Sequence, residues 1–218
     1  MKGAINMSDF NLQELHIDIL KELGNVGAGH ATTALSEFLG RSIKMTVPEV
    51  NILPFEEVPE VVGGPEELVA GVYMRIKGDA PGSLMLLLKH RDAVKLINIL
   101  MGKGEQEESS SKTDLDDMEQ SALMETGNIV ANSYLNSLAD MTKMDVGPSI
   151  PAISVDMAGA ILEVILFQVD EEISEHVILI GTEFMYEGNK IRGHFFLIPD
   201  NESFPKILSS LGFDYDGS

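Results

Sequence analysis

Residues 15–35 read LHIDILKELGNVGAGHATTAL, and residues 118–138 read MEQSALMETGNIVANSYLNSL. At a constant offset of 103, Leu20 falls on Leu123, Glu22 on Glu125, Gly24 on Gly127, Asn25 on Asn128, Ala28 on Ala131 and Leu35 on Leu138. The register carries on to Pro48 and Pro151. Generic helix composition explains shared apolar positions but not shared glycine, acid and amide positions, so an internal duplication is predicted. The tails repeat more loosely, at an offset of about 110: GSLMLLLKHRDAVKLINILMG over 82–102 and GHFFLIPDNESFPKILSSLG over 193–212. Each reads as an apolar strand, a turn and a short amphipathic helix.

The fold expected is α/β of the α+β type: duplicated α-β-β-β-α units with pseudo-two-fold symmetry, a mostly antiparallel sheet and helices packed on it. The repeats span residues 8–102 and 113–213 of one compact unit, joined by a polar, flexible linker at 103–112, KGEQEESSSK. Residues 1–6 read as unstructured, with Met7 a plausible start. Asn11-x-x-Glu14 and Thr113-x-x-Asp116 resemble capping boxes ahead of apolar periodicity. Strands are expected at 43–53, 68–77, 83–89, 161–169, 177–186 and 191–198, with a hairpin turn at Glu187-Gly188-Asn189.

On a helix advancing about 100° per residue, Leu12, Leu15, Ile19, Leu23 and Val26 form one stripe. Asp18, Glu22 and Asn25, spaced i, i+4, i+7, form another, roughly 95° away. In the second copy Leu115, Met118, Ala122 and Ile129 are expected to face inward, with Ser121, Glu125 and Asn128 on the flank. Gly24 and Gly127 weaken their helices by about 1 kcal/mol each relative to alanine. Their presence in both copies implies a close approach to the backbone, either by a binding partner or by a packed neighbour.

The formal charge is −20, from 15 basic and 35 acidic residues. Such a field repels nucleic-acid phosphates and anionic membrane surfaces, so neither is expected as a partner. No apolar run reaches the roughly 18 residues of a spanning helix. There is no cysteine, hence no disulfide or thiolate chemistry, which suits the cytoplasm. His16, His30, His90, His176 and His194 show no metal-ligand spacing. Gly24-x-x-Gly27-x-Gly29 lies within a helical pattern instead of after a strand, so it is not a nucleotide loop.

The pattern Asp or Ser, three residues, Glu, two residues, Asn, twenty-two residues, Pro resembles that of the CheC/CheX/FliY family of chemotaxis phosphatases. Asp18, Glu22, Asn25 and Pro48 fit it, and Ser121, Glu125, Asn128 and Pro151 fit it again. The resemblance runs from about Leu12 to Gly212. It carries two motifs, as in CheC-type members. The single motif of dimeric CheX-like members and the added switch domain of FliY-like members are not expected.

The resemblance implies a monomer with an internal pseudo-dimer, hydrolysis of the aspartyl phosphate of the response regulator CheY, and binding to the receptor deamidase CheD. It further implies that Asn25 and Asn128 position the attacking water, that Glu22 and Glu125 dock the regulator, and that Asp18 and Ser121 assist. Pro48 and Pro151 would fix the backbone. No cofactor of the chain's own is expected; Mg²⁺ is expected in the regulator. Two rival readings use the same residues: a non-catalytic adaptor for CheD or phosphorylated CheY, and a flagellar-switch component.

Overall fold

The computed structural model describes residues 14–103, 114–168 and 174–212. The expectations for residues 1–13, most of the linker and the Asn11 and Thr113 caps lie outside them. In chain order the elements are α1 (Glu14–Leu39), β1 (Lys44–Thr46), β2 (Val50–Pro54), a 3-10 turn (Phe55–Glu57), α2 (Val58–Val61), β3 (Leu68–Gly78), β4 (Gly82–Lys89) and α3 (His90–Leu100). There follow α4 (Asp117–Thr142), β5 (Val146–Pro148), β6 (Ala152–Met157), α5 (Ala158–Gln168), β7 (His176–Tyr186), β8 (Asn189–Pro199) and α6 (Ser203–Ser210).

All the strands belong to one antiparallel sheet in the order β1-β7-β8-β4-β3-β5, with β2 also on β7 and β6 also on β3. The short strands of each half therefore pair with the long hairpin of the other half. Val50 lies opposite Ile180 and Val72 opposite Ile153. The two hairpins meet along β4 and β8, where Leu84 faces Leu197 and Leu86 faces Phe195.

The sheet is covered on both faces, which explains strand sequences as uniformly apolar as LMLLL and VILI. On one face Leu84, Leu86, Ile178, Ile180 and Phe195 pack under α1, α3, α4 and α6. On the other, Met85, Leu87, Val177, Leu179 and Phe196 meet α2 and α5. Turns are set by backbones that need positive φ. Glu187 (φ 48) and Gly188 (φ 88) make the two-residue turn joining β7 to β8, as expected from the sequence.

Two expectations need correction. The segment at 161–169 is helical up to Gln168, not a strand. Its run ILEVILFQ is apolar but for Glu163 and Gln168, so periodicity could not separate strand from helix. Ile161, Leu162 and Ile165 seat it on the second core. The strand at 43–53 is two strands, interrupted around Pro48. Each half thus runs α-β-β-α-β-β-α instead of α-β-β-β-α. Within the described residues α4 opens on a capping box: Asp116 Oδ1 accepts from the amides of Met118 (3.0 Å) and Glu119 (2.9 Å), while Glu119 Oε2 accepts from the Asp116 amide at 3.0 Å.

Candidate functional site

The site is built on α1 and α4, which pack against each other in opposite directions. Gly27 lies under the ring of Tyr134, and the Ser137 hydroxyl donates to the Leu23 carbonyl at 3.1 Å. The buried face of α1 is Leu20, Leu23, Gly24, Gly27, Ala28, Ala31 and Leu35. That of α4 is Leu123, Gly127, Val130, Ala131, Tyr134, Leu135 and Leu138, together with Thr126, Ser133 and Ser137. The hydroxyls of these last three bond to backbone carbonyls, which makes their burial tolerable.

This face differs from the stripe read in the sequence. Ile19 and Val26 sit at its margin, half-buried, as do Ala122 and Ile129 on α4, and Met118 is 68% exposed. Glycine marks the close approaches of these faces, Gly27 to α4 and Gly24 and Gly127 to the valines beneath them, and hydropathy counting overlooks it. By helical arithmetic the polar trios lie roughly 150° from the buried faces, not 95°. Asp18, Glu22 and Asn25 are exposed; so is Ser121, and Glu125 and Asn128 are half-buried. The trios point away from the core.

The glycines preceding the asparagines are explained by internal packing. A β-carbon on Gly127 would stand 2.6 Å from Val72 Cγ1, and one on Gly24 would stand 3.2 Å from Val47 Cγ1 and 3.4 Å from Val50 Cγ2. Val47 adjoins Pro48, so the same contact sets the Pro48 turn beside the turn of α1 that carries Asn25. Pro151 immediately precedes β6, whose Ile153 pairs with the Val72 under Gly127. In each copy the proline segment and the asparagine turn thus rest on a common patch of sheet.

The polar groups of the two trios are engaged differently. Among the described residues, no side-chain hydrogen bond or ion pair holds Asp18, Glu22, Asn25 or Glu125. Ser121 Oγ donates to the Asp117 carbonyl at 2.7 Å. Asn128 has a partner one turn on: Asn132 Nδ2 donates to Asn128 Oδ1 at 3.0 Å and to the Asn128 carbonyl at 2.8 Å. Sequence reasoning missed Asn132. A signal existed in the offset of 103, which sets Asn132 against Gly29.

Pro48 also borders a cavity of about 190 Å³ lined by Glu49, Thr182, Glu183, Arg192 and His194. Arg192 and Lys190 pair with Glu183 at 3.3 and 3.4 Å. Burial pulls the His194 imidazole below its ordinary pKa, against the upward pull of Glu49, and its Nδ1 has no hydrogen-bond partner. Among the described residues no three His, Asp or Glu side chains come together as a metal site.

An antiparallel sheet covered on both faces thus carries two long helices that each present an outward acid–asparagine stripe. Residues 15–52 and 118–155, which contain both complete motifs, match the CheC-like family. The chain is 37% identical over 209 residues to the CheY-P phosphatase CheC of Bacillus subtilis, covering 94% of this chain and 99% of that one. The chain belongs to the CheC-like family. Its fold is shared with FliY of Thermotoga maritima (TM-score 0.69, 23% identity, 93% of this chain and 98% of that one). It is also shared with the FliM middle domain of H. pylori (TM-score 0.64, 13% identity, 91% and 99%).

Proposed function

We propose that this chain is a protein phosphatase that hydrolyses the aspartyl phosphate of the response regulator CheY, using Asn25 and Asn128 to place the water. The observation that carries the reading is the outward presentation of Glu22 with Asn25, and of Glu125 with Asn128, with both carboxylates free of internal partners among the described residues. The name of the Bacillus subtilis relative supports the same reaction.

An acyl phosphate reacts through a loose transition state, so a water held in line supplies much of the rate. A primary amide is suited to holding it, because its oxygen accepts from the water while its NH₂ donates to a phosphoryl oxygen. An exposed carboxylate facing an anionic phosphoryl group is poorly placed as a base. Glu22 and Glu125 instead attract a basic side chain of the regulator and orient the docked pair. Asp18 and Ser121, one turn earlier, border the contact. Gly24, Gly127, Pro48 and Pro151 hold the backbone. Mg²⁺ belongs to the regulator, and this chain's residues need only place the water.

The reading places the protein in the cytoplasm as a monomer, with CheD as a second partner. Among the described residues no helix is long and apolar enough to cross a membrane. The test is the decay of phosphorylated CheY with Asn25→Ala, Asn128→Ala and the double variant. The double variant is expected to fall to the regulator's own hydrolysis rate. Full activity in the double variant overturns the reading. CheY binding without any effect on its phosphate makes the chain an adaptor.

A further inference from the structure

We infer that Asn132 is a positioning residue that pre-sets the amide of Asn128, and that the α1 site lacks this device because Gly29 occupies the equivalent place. The inference rests on the assignment of Asn25 and Asn128 to the water-placing role.

The geometry is specific. Asn132 lies one helical turn beyond Asn128 and is half-buried. Its NH₂ is anchored on the Asn128 carbonyl at 2.8 Å and reaches Asn128 Oδ1 at 3.0 Å. The first bond fixes the donor to the helix. The second fixes the acceptor, and with it which end of the Asn128 amide is oxygen. With the NH₂ end of Asn132 held toward it by the Asn128 carbonyl, Asn128 has one favourable orientation: oxygen toward Asn132, NH₂ turned away from it. Asn128 Oδ1 retains a second lone pair for water, and both its N–H groups remain available. Such an amide reaches the encounter with a phosphoryl group already oriented.

Asn25 has no such neighbour. It is exposed and carries no side-chain hydrogen bond among the described residues, and the residue four positions on is Gly29. Its amide must be ordered during the reaction, which costs rotamer freedom at that moment. A β-carbon built on Gly29 meets nothing within 4 Å. An asparagine can therefore be placed at 29 with no clash at its β-carbon.

The experiment measures kcat and KM for dephosphorylation of phosphorylated CheY with one site at a time. In the Asn25→Ala background, Asn132→Ala is expected to lower kcat by roughly 3- to 10-fold, the cost of ordering one side chain, with KM unchanged. Asn132→Asp keeps the shape but removes the donor, and is expected to lower kcat as well. The loss depends on Asn128: in the Asn128→Ala background the substitution of Asn132 adds no comparable loss. Gly29→Asn in the Asn128→Ala background is expected to raise kcat of the α1 site.

A merely structural Asn132 would lower activity equally in both backgrounds and would not let Gly29→Asn increase it. Equal losses, an unchanged kcat in the Asn25→Ala background, or an inactive Asn25→Ala protein overturns the inference. Full activity of the Asn25→Ala/Asn128→Ala protein instead overturns the role of the asparagines themselves. The two failures are thus distinguishable.

Discussion

Between Gly27 of α1 and Tyr134 of α4 there is no room for a β-carbon. One built on Gly27 would overlap ring carbon Cδ1, come within 2.8 Å of Cε1 and stand 3.2 Å from the Tyr134 α-carbon. The ring cannot simply swing aside, because Phe195 holds it at a centroid distance of 4.6 Å. Gly27→Ala should therefore cost about 1–3 kcal/mol through overpacking, despite a gain in helix propensity of about 1 kcal/mol. Gly29→Ala, in open space two residues on, should keep that gain and stabilise the protein. Urea unfolding of the two variants makes the comparison, and a stable Gly27→Ala protein would mean that the helices can separate more easily than their contact indicates.

The C-terminal ends of the long helices offer a second matched pair. Gly40 after α1 has φ 61, and Lys143, its equivalent after α4, has φ 62. Both close their helices in the left-handed conformation, which glycine adopts freely and a residue with a β-carbon does not. Lys143→Gly is expected to raise stability by about 1 kcal/mol and Gly40→Lys to lower it by about the same amount. Thermal unfolding of the two single variants, read as shifts of opposite sign, checks both.

If Glu22 and Glu125 attract a basic group on the regulator, their charge governs encounter more than chemistry. The double variant Glu22→Gln/Glu125→Gln should raise KM roughly five-fold, the worth of an exposed pair of about 1 kcal/mol, and leave kcat near the parent value. Its KM should also respond less to added salt. Steady-state dephosphorylation at two ionic strengths measures this. A large fall in kcat at unchanged KM would assign the glutamates to the chemical step.

His194 gives a pH prediction. Burial favours its neutral form; Lys89 and Arg192 add to that, and Glu49 and Asp92 oppose it. Because its pKa in the folded chain lies below the unfolded value of 6.5, the unfolded chain binds more protons as pH drops below 6.5. Stability contributed by neutral His194 is therefore full above about pH 6.5 and is lost as pH falls toward the depressed value. Denaturant midpoints taken from pH 7.5 to 5 should fall less steeply in His194→Leu than in the parent. Parallel curves for the two proteins would contradict the assignment.

The candidate site was legible because its residues are chemically distinctive and occur twice. Glu22, Asn25 and Pro48 could be aligned with Glu125, Asn128 and Pro151 without any knowledge of packing. The long hairpins were legible too, since β-rich apolar runs end at turn residues such as Glu187-Gly188. The inward faces of α1 and α4 were not. Their centres are Gly24, Gly27, Ala28, Gly127 and Ala131, residues that report closeness of approach and not hydrophobicity. Met118, apolar and in periodic register, lies outside that contact and faces solvent. α5 read as a strand because its run is apolar almost throughout, Val164 on its exposed side included, and VGP and AISVDM were too short and mixed to announce β5 and β6. Asn132 was invisible for a different reason: alignment of the two segments picks out what they share, and at this position they differ, with Gly29 in the first.

The exchange of short strands has a consequence for how faults spread. β2, which supports the Asn25 turn through Val50, is anchored on β7 of the other half; β6, beneath the Asn128 turn, is anchored on β3. Each asparagine therefore stands on ground that the opposite half of the chain provides. Damage to either hairpin is therefore expected to weaken the support of the distant asparagine as well as the strands beside it.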